Sequence, residues 1–527
     1  MKQKQFKKNQ PTMNKQQKKI SFFSAILLVV GSSIGAGIFL KNQEILDNSF
    51  GSIIMVLISW ALSIIAVICM GISLIEIAGA SKNNNLGIVE WVKDFGNKFF
   101  FHAAKFFMAF IYLPINFFIM PYYVVQTIQD AFGWNNAPWW ISFLIAFGIA
   151  IWFLIISGYS AKATNIQNWI ITSVKFIPIV FAILIGFILI ASGHGGNGDR
   201  TPGWIPQQDW NETKHNLLTR LIPWLGIIGS LPSIIFSFDG FYSAAGIQTE
   251  MQKPEKTGLA LVSGLVIVSV IDVLITISLL LCSDGRVVGI SFIKNNYQWI
   301  NTVINILIAF GILGIINGFS SYNPRYYEGL IGINGIYCPK RFKNKLNHTK
   351  PVVGIVYASI ICGGIFILGT IIGRFGFMDA SGYGEAYGND LAKLYSFCDL
   401  MANWTSILVF GLIVIAMVGG LINRKTNKIK TNHVRGFRTC TIISASIILL
   451  AIAYLIVSVF VNIAIIASWK NDIGLDIGSF AKPHWYTEPE WINDLTAAII
   501  SLGVLIIFIS GSMLPAWIIT RKENKKN

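Results

Sequence analysis

Val29-Val-Gly-Ser-Ser-Ile-Gly-Ala-Gly-Ile-Phe39 lies inside the first long apolar segment of the chain, where an unbroken helix is the simplest expectation. Its glycines at 31, 35 and 37 and its serines at 32 and 33 work against that expectation. Each glycine costs a helix roughly 1 kcal/mol relative to alanine and lets the backbone bend. Unpaired backbone at membrane depth survives only where protein buries it or a wet cavity meets it. A break here would leave N–H groups free to hold an anion and carbonyls free to hold a cation. The competing reading is packing, since Gly31 and Gly35 also form a Gly-xxx-Gly pair that lets helices approach closely.

The rest of the chain decides what surrounds that stretch. Of 527 residues, 54% are hydrophobic and 13% charged, with mean hydropathy +0.61. Apolar stretches long enough to cross a bilayer recur along the whole length, which predicts an all-α polytopic membrane protein. Twelve spans are expected, near 22–40, 51–77, 100–128, 138–157, 166–192, 222–247, 258–282, 299–321, 351–373, 395–422, 436–468 and 492–519. No cleavable signal peptide is expected, because the apolar run after Ile20 is long and lacks a small-residue cleavage pattern.

A formal net charge of +16 suggests nucleic acid at first sight, but its distribution argues for a membrane. With both termini cytoplasmic, about 29 of the 41 Lys and Arg fall in inside tails and loops and about 10 outside, as the positive-inside rule expects. Lys105 and Lys175 fall within spans. The basic tail 1–19 reads as a topology signal, attracted secondarily to anionic headgroups. The six cysteines are scattered without metal-ligand spacing or a disulfide framework. Asn211-Glu212-Thr213 formally matches a glycosylation acceptor, a pattern frequent by chance. Trp485, Tyr486 and Trp491 read as an interfacial aromatic belt.

Five spans after the first Gly/Ser interruption comes a second, Ile234-Ile-Phe-Ser-Phe-Asp-Gly-Phe-Tyr-Ser-Ala-Ala-Gly246. Interrupted segments at matching places in two halves point to a binding site at the midplane. Five is odd, so the second half enters the membrane from the opposite side and the repeats are inverted.

At these residues the chain resembles the amino acid–polyamine–organocation transporter superfamily, the amino acid permeases. Gly31-Ser-Ser-Ile-Gly-Ala-Gly-Ile-Phe39 resembles that family's span-1 signature. Phe236-Ser-Phe-Asp-Gly-Phe241, with Glu250 and Lys253-Pro254 after it, resembles its span-6 pattern. Glu76 followed by Leu86-Gly-Ile-Val-Glu-Trp91 resembles the end of span 2 and the next loop, and Asn168-Trp169 through Lys175-Phe-Ile-Pro178 resembles span 5. The likeness runs through nearly the whole chain in order and spacing.

The resemblance implies a five-plus-five inverted repeat with broken helices 1 and 6 and two extra helices. In residues, that is a tail at 1–19, a first repeat at 20–192, an extracellular loop at 193–221, a second repeat at 222–422, helices 11 and 12 at 436–519 and a tail at 520–527. It also implies that a substrate carboxylate rests on backbone N–H groups at Gly35, Ala36 and Gly37. The α-amino group would meet carbonyls near Ser33, Phe236 and Asp239, with Gly240 in the same set. Helix N-termini favouring anions and C-termini favouring cations agree with this. Many relatives carry Ser where this chain has Ala36, so the carboxylate would lose a side-chain hydrogen bond.

Lys175 is the sharpest single residue, because an ionisable group inside a span is a functional candidate by default. A desolvated amine can exchange its proton in the working pH range. By analogy with proton-coupled relatives, Lys175 would stand where sodium-coupled ones hold their ion and would reach the span-1 break; the alternative is a structural cation satisfied by carbonyls. Phe236 is either an aromatic lid or span packing. Asp239 could select a cationic side chain, carry a proton or cap the following half-helix. Glu76 and Glu250 belong to an inner gate or to loop packing. Asp272, and Asp399 with Asn403, are polar groups at membrane depth with unassigned partners. Ser320 and Ser321 would face the region near Lys175.

The function expected is import of amino acids across the plasma membrane by alternating access, coupled to protons. An exchanger of amino acids or polyamines on the same fold is the alternative, and a non-transporting sensor or scaffold a remoter one. The chain shows no nucleophile motif, nucleotide loop or metal cluster, so no enzyme, cofactor or metal is expected. The partners expected are a small amino acid, a proton and the bilayer, with no nucleic acid; substrate identity and oligomeric state stay open.

Overall fold

The computed structural model describes residues 21–49, 51–80, 86–134, 137–194, 217–242, 251–253, 256–283, 285–347, 350–380, 383–468 and 488–525. Glu250, the acceptor triplet at 211–213 and the aromatics Trp485 and Tyr486 lie outside them, as does the basic tail. Among the described residues every regular element is helical. Eleven helices among the described residues are long and apolar enough to cross a membrane, and Trp224–Ser237 adds a shorter apolar stretch at the place expected for span 6. The chain is a multi-pass membrane protein.

Span 1 does break. Its first helix, Phe22–Ser33, stops at Ile34, whose backbone is extended, and Gly35 (φ −154°, ψ −137°) turns the chain into the helix Ala36–Leu40. Asn42–Asn48 carries it on. Ser32 and Ser33 return their hydroxyls to the carbonyl of Val29 at 3.1 and 2.9 Å, so the interruption leaves their side chains satisfied. Span 6 ends its first helix at Ser237 and turns through Phe238, Asp239 and Gly240.

The packing pairs come in partners displaced by five spans, as an inverted repeat requires. Span 1 packs on span 7 (Thr257–Cys282), and its counterpart span 6 packs on span 2 (Ile53–Ala80). Span 5 (Ala161–Ala191) packs on span 8 (Gln298–Gly332), and span 10 (Gly384–Thr426) on span 3. Spans 3 and 8, and spans 2 and 7, pack on each other across the pseudo-symmetry axis. Span 11 (Phe437–Ser468) covers span 2 and span 12 (Glu488–Asn524) covers the start of span 3, outside the repeats.

Two irregularities position side chains. Span 3 runs from Lys98 to Phe132 through a π-helical turn at Met108–Tyr112. Pro114, two residues later, cannot donate to the carbonyl four residues back, one recognised cause of such local unwinding. Span 10 contains a kink at Gly388 (φ 70°, ψ 155°), which lies one turn after Tyr383.

Candidate binding site at the paired helix breaks

The two breaks lie against each other because glycine lets them. A methyl group at Gly37 would stand 2.7 Å from Ser237 Cα, a backbone atom that cannot step aside. Gly240 has φ +100°, a conformation closed to most side chains, and a methyl there would meet the Ser32 carbonyl oxygen at 2.9 Å. Of the residues named from sequence, Ser33, Gly35, Gly37, Phe236, Asp239 and Gly240 therefore line one junction of two half-helix ends. The backbone of Ala36 opens the second half-helix of span 1, and its side chain lies outside what the structure describes.

Asp239 is a hub. Its Oδ1 accepts from Tyr112 and Tyr242, each at 2.9 Å, and its Oδ2 accepts from Tyr112 at 3.0 Å and from Ser406 at 3.2 Å. The two tyrosine hydroxyls are themselves 2.5 Å apart. The carboxylate thus joins span 6 to the π-helical turn of span 3 and to span 10. Among the described residues no cation pairs with it, so three hydroxyls and the backbone N–H of Gly240 carry its hydrogen bonding.

Beyond the breaks, on the side away from the start of span 1, lies a charged cluster the sequence left unassembled. Lys41 is wholly buried and pairs with Asp399 Oδ1 at 2.7 Å and Glu44 Oε2 at 2.9 Å. Asp399 also accepts from Tyr123 at 2.6 Å and from Tyr383 at 2.5 Å, and Asn403 donates to Glu44 at 2.5 Å. The Phe236 ring sits 5.6 Å from the Lys41 amine and edge-on to Tyr123, between this cluster and the breaks. Lys41 escaped notice because it follows the apolar run and reads as a loop residue. The signal was the pair Lys41 and Glu44, three residues apart as on one helical face.

Lys175 reaches the break from span 5. Its Nζ donates to the Gly31 carbonyl at 2.6 Å, and its Cβ faces Gly311 of span 8. Gly31 lies in the last turn of the first half-helix, where carbonyls present partial negative charge to a cation. Ser320 and Ser321 do not join it: their hydroxyls bond the carbonyls of Ile316 and Gly318 on their own helix. Lys105 lies elsewhere, beside His102 at 3.2 Å and over the Phe106 ring at 4.9 Å.

On the opposite side of the molecule Glu76, at the end of span 2, meets Arg424 at the end of span 10. The guanidinium donates from Nε at 2.9 Å and from its second nitrogen at 2.5 Å, a two-pronged grip. The backbone N–H of Val434 and the hydroxyl of Thr431 add 2.9 and 3.3 Å contacts to the same carboxylate, tying down the connection into span 11.

Comparison with known proteins fits this arrangement. The profile of a family described as "Amino acid permease" matches residues 20–478. A Mycoplasma pneumoniae protein described as "Uncharacterized protein" is 33% identical over 98% of this chain and 96% of its own length. "Serine/threonine exchanger SteT" of Bacillus subtilis is 24% identical over 64% of this chain and 72% of its own length.

Proposed function

We propose that this chain, which belongs to the amino acid permease family, imports amino acids across the plasma membrane by alternating access and couples their movement to protons through Lys175. The observation that carries the reading is the 2.6 Å contact from Lys175 Nζ to the Gly31 carbonyl. A charged amine there holds the C-terminal end of one half-helix at the break, and loss of its proton would release that end. Substrate occupancy and protonation then act on the same few residues.

In this reading the carboxylate of the substrate lies on the N–H groups at Gly35, Ala36 and Gly37. Its ammonium meets carbonyls released at Ser33, Phe236 and Asp239, with Gly240 keeping the span-6 turn open to it. Phe236 covers the substrate. Asp239, held by three hydroxyls, braces span 6 against spans 3 and 10 rather than selecting a cationic side chain. The Lys41–Asp399 cluster closes the outer approach, and the Glu76–Arg424 grip closes the inner one; both termini are cytoplasmic, as the Lys and Arg distribution favours.

Exchange on the same fold is the second reading, favoured by the name of the Bacillus subtilis relative. The test is uptake of labelled amino acids, small hydroxyl-bearing ones included, into proteoliposomes with and without an inward proton gradient and with and without internal substrate. Gradient-driven uptake into empty vesicles supports import. Uptake that needs internal substrate and ignores the gradient assigns exchange.

A further inference from the structure

Asp272 sits in the middle of span 7, 1% exposed, and neither of its carboxylate oxygens has a hydrogen-bond partner. Its neighbours on the helix fix the direction it faces. Eight residues earlier, Gly264 packs so tightly on span 1 that a methyl there would lie 2.6 Å from Val29 Cβ. Four residues later, Thr276 donates to Asn42 Oδ1 at 2.9 Å. At about 3.6 residues per turn and 1.5 Å per residue, Asp272 falls between these contacts in both azimuth and height. That height corresponds to Gly37 and Ile38, just past the span-1 break.

Other buried groups at this level are also without partners. The hydroxyl of Ser237, against which Gly37 packs, has none. On span 2, Gly71 faces Leu265, which shares Asp272's azimuth one heptad earlier. Ile75 faces Gly258, so the two helices run antiparallel. Continuing that register brings the Asp272 level to about residues 64–67 of span 2, an apolar stretch bordered by Ser63, whose Oγ likewise lacks a partner.

Among the described side chains, the charged groups on the spans packed against span 7 are engaged elsewhere. On span 5, Lys175 donates to Gly31. On span 1, Lys41 pairs with Asp399 and Glu44, and Asp47 lies beyond them at the far end. On span 2, Glu76 is gripped by Arg424, and Cys69 is the remaining titratable group. An ionised carboxylate in such surroundings costs several kcal/mol with nothing to offset it.

We propose that Asp272 is a second proton-carrying group of the transport cycle, held as the neutral acid beside the span-1 break in this conformation. The proton enters from bulk water, forms the carboxyl O–H, and leaves to water when spans 1 and 7 separate. No other bond is made or broken. The coupling part of this rests on the transport reading; the protonation does not.

The test is infrared difference spectroscopy of the purified full-length protein in lipid, wild type against Asp272→Asn, across the neutral pH range in potassium buffer. The expected result is a protonated-carboxyl band in the wild type that Asp272→Asn loses. Asp272→Glu, which keeps a carboxyl on the same helix position, should shift that band without removing it, which keeps the test sound if the asparagine variant folds poorly. A wild type without the band, or a band that sodium ions abolish, overturns the proposal. In proteoliposomes that take up amino acids, Asp272→Asn should flatten the pH profile of uptake, and an unchanged profile also overturns it.

Discussion

Replacing Asp399 by asparagine tests whether the buried charges of span 1 and span 10 hold the outer approach shut. The substitution keeps the size of the side chain and one accepting oxygen, but removes the negative charge that Lys41 meets at 2.7 Å. It also leaves one of the hydroxyls of Tyr123 and Tyr383 without its acceptor. A hydrogen bond to a charged group contributes about 1.5–3 kcal/mol, and Lys41 retains Glu44, so the cost stays in that range rather than that of a fully orphaned charge. The Lys41–Asp399 pair forms only while the two spans meet, so the loss falls on the closed arrangement alone. The closed-to-open ratio should drop roughly 10- to 150-fold. The assay is the rate at which a membrane-impermeant thiol reagent labels Phe236→Cys from outside, in a protein whose six native cysteines have been replaced. Asp399→Asn should speed labelling in proportion to that ratio, and Lys41→Met, which strands two carboxylates, should speed it more. Labelling as slow as in the parent would refute the gate.

Three further outcomes follow from named contacts. Gly37→Ala drives a methyl into the backbone of Ser237, and overpacking of this kind costs about 1–3 kcal/mol; thermal unfolding should register it, with uptake falling. Tyr112→Phe removes the hydroxyl that bonds both oxygens of Asp239, a loss of about 1–3 kcal/mol for a buried acceptor. The thermal midpoint should fall and Ser406→Ala should add less than its own single effect, because both act on one carboxylate. Glu76→Gln breaks the Arg424 grip; the Glu76 side chain is 1% exposed and that of Arg424 26%, so the cost is that of a hydrogen bond to a charged group, about 1.5–3 kcal/mol. The change should appear as faster proteolysis of the connection between spans 10 and 11.

The broken helices were legible because glycine and serine leave a local mark inside an apolar run. Gly31 to Phe39 and Phe236 to Phe241 announced both interruptions, and their five-span separation announced the inverted packing. Lys175 was legible as a charge too deep to reach water. What joins these elements was not legible, because it depends on residues far apart in sequence that carry no local signal. Tyr112 meets Asp239 across 127 positions, and Lys41 meets Asp399 across 358. A tyrosine in an apolar helix reads as core until its hydroxyl is seen to have a partner, as with Tyr112 and Tyr123, whereas Tyr383 stands in a polar, glycine-rich stretch that reads as a loop. The π-helical turn that presents Tyr112 depends on tertiary packing as well as on Pro114. The apolar pattern starts span 10 near 395, whereas its helix begins at Gly384 and kinks at Gly388. The kink residue is an ordinary glycine in a polar stretch, indistinguishable in sequence from a loop.

Proton-coupled import through the contact between Lys175 and Gly31 is tested most directly by one comparison. Wild type and Lys175→Ala, reconstituted side by side, would be assayed for uptake of a labelled amino acid under an inward proton gradient. The account predicts that the gradient stimulates the wild type and leaves Lys175→Ala at its no-gradient rate. A Lys175→Ala protein that still responds to the gradient as the wild type does would contradict it.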